Sequence, residues 1–258
     1  MLRELVEYRH LLLMLTWRDI RVRYKQTAMG FLWALLMPAL TVTAGIVVRK
    51  AFSIAQGAPL DAAAVASISV KALPWAFVVG SIRFATSSLT NNPTLLTKVY
   101  FPREVLPLSA VLASLFDFCV AAVLLAILLA FFGLAPSVQL AWVPVLLVLL
   151  VLMTGAAAML LACANLFFRD VKYLIEVVLT FGIFFTPVLY DARMVGDWES
   201  LLLANPVGAI LEALNDTVVL HITPDPFWVG YAAVWAVLGF AVASVVFDRA
   251  EPAFAERV

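Results

Sequence analysis

Four cations crowd the stretch RDIRVRYK, with Arg18, Arg21, Arg23 and Lys25 inside eight positions, and an uncharged apolar run opens shortly after, at Gly30. Guanidinium and ammonium groups at that density pin the orientation of a following span at headgroup level, helped by anionic lipid, and a topology anchor alone accounts for them equally well. A second polar set, Arg83, Thr86, Ser87 and Thr90, recurs at i, i+3, i+4 and i+7, the spacing of one helix face. Glu176 and Thr180 begin a similar stripe, close to Phe181, Phe184, Phe185 and Tyr190 around Pro187. A charge within an apolar span costs about 2.5–3.5 kcal/mol or more, so each must face a cavity, a partner or an opposite charge. Aromatic rings stack on the apolar faces of sugars and pack equally well against lipid or helices. Covalent catalysis finds little to use. His10 and His221 are isolated, Cys119 and Cys163 sit singly in apolar runs, and no GxxxxGK[ST], HExxH or GxSxG motif occurs. Glu104, Asp117, Asp170 and Glu176 are scattered along the chain, with no pair at a catalytic spacing.

The elements that must position these groups follow from composition. The 258 residues are 64% apolar and 13% charged, against roughly half apolar in soluble domains. The apolar residues fall into long uncharged runs, so the chain reads as an all-α integral membrane protein. About 20 apolar residues cross the hydrocarbon core. Six spans are predicted at 30–50, 72–90, 105–133, 139–168, 172–190 and 226–247. The charged leader before the first is too long for a signal peptide, so that span is expected to be retained. With a cytoplasmic amino terminus, twelve Lys and Arg lie inside, and Arg49, Lys50, Lys71 and Arg193 lie outside. That imbalance places both termini in the cytoplasm. Net charge is zero, and no overall field attracts nucleic acid.

Three features exceed what a bare bundle needs. Leu5, Tyr8, Leu12, Leu15 and Val22 recur at helical spacing, which predicts an amphipathic helix on the inner surface over residues 1–29. In NNPTLLTKVYFP, Asn92 is the expected cap, Pro93 opens a short helix and Pro102 ends it. Leu95, Leu96, Val99 and Phe101 then give that cytoplasmic loop an apolar tip, suited either to docking another protein or to folding back on the bundle. In the outer segment 191–225, Asn205 and Pro206 start a helix with Val207, Ile210, Leu211, Leu214 and Val218 on one face and Glu212, Asn215 and Asp216 opposite. At about 21 Å it is too short to span, and both a lid and an interfacial connector fit.

The stretches RDIRVRYKQTAMGFLWALLMPAL, LLTKVYFPREVLPLSAVLASLFDF, TPVLYD and NPVGAILEALNDTVV, in this order, resemble the permease subunit of bacterial polysaccharide ABC exporters, the type-2 export permeases that move O-antigen, teichoic acid or capsule chains. The resemblance covers nearly all of residues 1–258 and implies a single permease domain in the bacterial inner membrane. It implies a homodimer around a channel, worked by two separate ABC ATPase subunits that hold ATP and magnesium, with no cofactor on this chain and no nucleic acid. Residues 93–101 then correspond to the coupling helix, with Leu95, Leu96, Lys98, Val99, Tyr100 and Phe101 toward the ATPase. Two short outer re-entrant helices near 197–204 and 206–219 correspond to a gate carrying Trp198, Ile210, Leu211 and Leu214. Spans one and five are expected to line the channel, with Trp33, Phe181, Phe184 and Tyr190 as candidates for an aromatic belt; Arg83, Thr86, Ser87, Glu176 and Thr180 are candidates for polar lining from their stripes alone, and Arg83 matches no residue of the family pattern. Arg18, Arg21, Arg23 and Lys25 are expected to meet the diphosphate end of a lipid-linked polysaccharide. A type-2 permease for a drug or lipid, and a membrane enzyme acting on lipid-linked sugars, are the alternatives.

Overall fold

A computed structural model of the protein describes residues 7–25, 39–47, 62–98, 101–131 and 136–256, with residues 32, 36 and 50. Among the described residues the regular structure is helical throughout. Helix α1 is Arg9–Tyr24, α2 is Ala62–Thr86, α3 is Pro93–Lys98 and α4 is Val105–Phe131. A 3-10 turn, Val138–Trp142, leads into α5, Val143–Phe167, which is followed by α6, Val171–Phe185. Then come a 3-10 segment, Ala192–Trp198, and α7, Glu199–Leu203, α8, Pro206–Val218, and α9, Pro226–Ala250. Residues 39–47 are also helical.

Four stretches are long and apolar enough to cross a bilayer: Ala63–Thr86, Val105–Ile127, Val138–Phe167 and Pro226–Phe254. They match four of the six expected spans, with one change of consequence. Helix α2 begins ten residues before the predicted 72, because the small residues of AAAVASISV continue the helix without a break, and Pro74 is tolerated inside it. Lys71, expected in an outer loop, is therefore inside α2 and completely buried. The predicted span 172–190 is shorter as a helix. It stops at Phe185 because Thr186 precedes Pro187 and takes an extended conformation, φ −116° and ψ 134°. Most of the predicted span 30–50 lies outside the described residues, as do Trp33, Val99 and Tyr100.

The core explains how these helices are held. Its main cluster joins Leu73, Phe77 and Ile82 of α2, Val111 and Phe118 of α4, Leu146 and Leu150 of α5, and Ile210 and Leu214 of α8. A second cluster lies at the expected cytoplasmic end and brings Leu15 of α1 together with Leu96, Phe101, Val105, Met159, Phe247 and Phe254. Helix α1 thus packs along α4 through Leu15 and Ile20, while Val22, expected on its apolar face, is exposed. Outside the core, α4, α6 and α9 expose an apolar surface that includes Val123, Ile127, Val177, Trp235, Leu238 and Val242. A surface of that kind suits lipid or a partner helix.

Helix α8 departs most from expectation. Asn205 caps it as predicted, its Oδ1 accepting the Val207 N–H at 3.1 Å while its Nδ2 donates to Thr186 Oγ1 at 2.9 Å. The expected polar face is not solvated, however: Glu212, Asn215 and Asp216 are as buried as Ile210 and Leu211. Helix α8 is wedged among α2, α5 and α9. Gly208 permits the wedge, since a Cβ there would lie 2.9 Å from Pro187 Cδ and 3.1 Å from the Leu202 carbonyl oxygen. Gly208→Ala is expected to lower stability by about 1–3 kcal/mol. Gly230→Ala, on α9 with nothing near its Cβ position, should not. Thermal unfolding of the two variants in detergent checks the contrast.

Candidate functional site

The cation cluster of α1 is divided by the fold. The Arg23 guanidinium donates to Asp117 Oδ2 at 2.7 Å, Ser114 Oγ at 3.1 Å and the Ala110 carbonyl at 3.3 Å, and lies 3.8 Å over the Phe84 ring. The Tyr24 hydroxyl donates to the other oxygen of Asp117. Burial, and then the Asp117 carboxylate, push the Tyr24 hydroxyl well above its ordinary pKa, so it stays a donor. Arg18 bonds Asp19 Oδ1 at 2.9 Å and Asn92 Oδ1 at 3.1 Å. That contact occupies the Asn92 side chain, whose Nδ2 donates to Ser88 O, so Asn92 does not cap α3 as expected. Arg21 and Lys25 are exposed, with Arg21 5.3 Å from the Trp17 ring centre. Two of the four cations therefore pin α1 to the bundle and two face outward.

A cavity of about 590 Å³ opens beside the Arg23–Asp117 pair, walled by Thr41, Trp75, Phe77, Phe84, Phe118 and Arg83. Arg83 spans from α2 to α6 as a two-pronged contact, Nε to Glu176 Oε2 at 3.0 Å and Nη2 to Glu176 Oε1 at 2.6 Å. The side chains are 44% and 50% exposed, among the exposed Val177, Phe181 and Phe184. A half-exposed ion pair inside apolar helices requires water, ligand or protein against it. Of the other expected lining residues, Thr180 bonds the Glu176 carbonyl at 2.7 Å on the same exposed face. Ser87 is half-buried beyond the end of α2. Thr86 turns inward, buried and bonded to Ile82 O, because position 86 faces α5. Tyr190 is half-buried in the turn after α6, and its hydroxyl donates to Phe184 O at 2.9 Å.

At the opposite end, α8 is fastened by charge. The Lys71 ammonium donates to Tyr190 O and Asp191 Oδ1, both at 2.7 Å, and to Glu212 Oε2 at 3.3 Å. Ser67 Oγ also donates to Asp191 Oδ1, and the Ala192 N–H to Glu212 Oε1. Arg193 grips both oxygens of Asp216 at 2.8 and 2.7 Å. Burial pushes the Glu212 and Asp216 carboxyls up, with Lys71 and Arg193 respectively pulling them back. This lock was missing from the sequence-based expectation; a lysine inside the helical stretch AAAVASISVKALPW was its one visible sign. Ile210, Leu211 and Leu214 are the apolar side of the same wedge, while Trp198 is exposed.

The loop with the apolar tip folds back. Leu96 is 2% exposed and Phe101 6%, both inside the cluster with Leu15 and Phe247, so neither is offered to a partner. Helix α3 ends at Lys98, and its outward residues are Pro93, Thr94 and Thr97, with Leu95 half-buried. Arg103 ties the loop to the carboxyl-terminal segment through the Glu251 carbonyl at 2.7 Å. Carboxylates scattered in sequence are partly gathered here. Ligand atoms of Glu104, Asp248 and Glu251 lie within 4.8 Å of one another, and Arg103 lies 3.8 Å from the Glu251 carboxylate.

Comparison with known proteins matches residues 10–219 to the ABC-2 type transporter family. A relative from Myxococcus xanthus, "O-antigen export system permease protein RfbA", is 32% identical over 263 residues, covering 100% of this chain and 99% of its own. Two proteins of the same name from Klebsiella pneumoniae are 24% and 25% identical, each over 95% of this chain and 94% of theirs. The membrane-length apolar helices, the ion pair that ties one of them to α6 and a family match over most of the length agree: the chain belongs to the ABC-2 type transporter family.

Proposed function

We propose that this chain is the membrane subunit of an ATP-driven exporter that carries lipid-linked polysaccharide of the O-antigen type across the bacterial inner membrane. The observation that carries the reading is the end-to-end similarity to an O-antigen export permease, 32% identical over the whole chain. The geometry supports it. Arg83 and Glu176 hold a polar pair at membrane depth beside exposed Phe181 and Phe184, a surface that offers a sugar chain both hydrogen bonds and rings to stack on. In this reading the single permease domain has six spans, residues 30–50 and 172–190 completing the four long helices, and both termini are cytoplasmic. A second copy covers the exposed face of α6, and the conduit runs between the copies. Two ATPase subunits, which hold ATP and magnesium, bind beneath and push on the outward side of the loop at Pro93, Thr94 and Thr97. Helix α8, with the short α7 before it, closes the outer end, and the Lys71 contacts hold it shut. This chain performs no covalent step; it moves between packed states.

Deleting the coding sequence is expected to remove the glycan from the cell surface and to leave undecaprenyl-linked glycan at the inner membrane, measured by lipid extraction and carbohydrate blotting. Unchanged surface glycan with a changed lipid or drug profile would contradict the reading.

A further inference from the structure

A second cavity, of about 400 Å³, lies at the expected cytoplasmic end, where the turn after α2, the start of α3, the end of α5 and the start of α6 meet. Its polar wall is Ser87, Thr90, Asn91, Asn165, Arg169 and Lys172, and its size is that of a small-ligand site. The wall is organised by Asn165, which is buried, donates through Nδ2 to Thr86 O at 3.0 Å and accepts the Lys172 N–H through Oδ1 at 3.2 Å. One side chain thereby fixes the start of α6 against the end of α2. Thr90 Oγ1 is held to Ser87 O at 3.1 Å.

The remaining charge at this wall is positive and uncommitted. Among the described residues neither Arg169 nor Lys172 has an acidic partner, and Asp170 between them pairs with neither. The Lys172 ammonium lies 4.7 Å over the Tyr173 ring, and the positive end of the α6 dipole adds to the field. Arg18 and Arg23 of α1 differ, since their guanidinium groups are already bonded to Asn92 and to Asp19 or Asp117. Two free cations beside hydroxyl and amide groups in a headgroup-level cavity match an anion of the phosphate class.

We propose that this pocket binds a phosphorylated lipid headgroup of the inner leaflet, and that the diphosphate of the exported chain's lipid carrier, with more charge than a phospholipid, is the headgroup it suits best. The inference rests on the export function proposed above. It reassigns the expected diphosphate contact from Arg18 and Arg23 to Arg169 and Lys172.

The test uses the full chain in neutral phosphatidylcholine nanodiscs titrated with farnesyl diphosphate. Arg169→Gln/Lys172→Gln is expected to weaken binding at least about tenfold, the loss of one or two charge-assisted bonds, with unchanged thermal unfolding. Arg249→Gln, which removes an exposed cation elsewhere at the same end, should bind as the parent does. Equal loss in both variants would reduce the effect to general surface charge and overturn the site, as would normal binding by the double variant. Discs with added phosphatidylglycerol separate the sources. A small loss of farnesyl diphosphate affinity there supports the diphosphate, and a tenfold loss overturns that preference in favour of bulk lipid. Normal diphosphate binding with lost co-purification of the ATPase would make the pocket a seat for a partner's acid and overturn the proposal. The deletion strain tests export separately, so either idea can fail alone.

Discussion

Lys71→Met is expected to destabilise the protein by about 3–5 kcal/mol, the cost of breaking a buried ion pair from one side. At about 2–4 °C per kcal/mol for a chain approaching this size, unfolding in detergent should fall by roughly 10 °C. The ammonium is completely buried and is shared by Asp191, Glu212 and the Tyr190 carbonyl. Without it the two carboxylates repel each other in a largely buried site. The same geometry sets a pH signature. Burial already holds the Glu212 carboxyl above its ordinary value against the pull of Lys71, and removing Lys71 raises it further. A carboxyl raised in the folded state favours folding at low pH, and that contribution disappears as pH climbs through the folded value. The variant's deficit should therefore shrink toward the ordinary carboxyl range, about pH 4, and grow above it. Lys71→Met/Asp191→Asn/Glu212→Gln should recover most of the loss. An unchanged unfolding temperature in the single variant would mean that Lys71 does not bear on α8.

The Arg83–Glu176 pair yields the second large effect, on export. Glu176→Ala leaves a guanidinium at membrane depth without its acid, at a cost near 2.5–3.5 kcal/mol if lipid or an apolar wall is its only neighbour. The side chains are half exposed, so water or a bound glycan offsets part of that cost, and stability should fall less than in the Lys71 variant. Export should fall further, by about 10- to 100-fold, the worth of one charge-assisted hydrogen bond to a sugar hydroxyl. The exchange Arg83→Glu/Glu176→Arg separates the two roles. It restores the α2–α6 contact, so stability should return, but it exchanges the positions of donor and acceptor along the proposed conduit, so export should stay low. Surface glycan measured beside thermal unfolding decides it. Full recovery of export by the exchange would leave the pair only a pin between helices.

Much of the architecture was legible because it depends on local pattern. Four long apolar helices and the Asn205–Pro206 start of α8 reflect hydrophobic runs and capping, confined to neighbouring residues, whereas the stop before Pro187 shortened a span expected to reach residue 190. Helical periodicity also singled out Arg83 and Glu176 as charges that needed company. It could not pair them, since 93 positions separate them.

Unaided, the sequence determined that the chain is helical and apolar at membrane length, because composition and period are properties of short segments. Tertiary structure alone decided which charges are spent and which are free. Arg23 meets Asp117 across 94 positions and Lys71 meets Glu212 across 141, while Leu96 and Phe101 turn into the core instead of toward a partner. The reason is physical: a buried charge is stable only beside its counter-charge, and an apolar loop residue is exposed or covered according to what packs over it. Both conditions are set by helix packing, which brings distant positions together and leaves no mark on the local pattern.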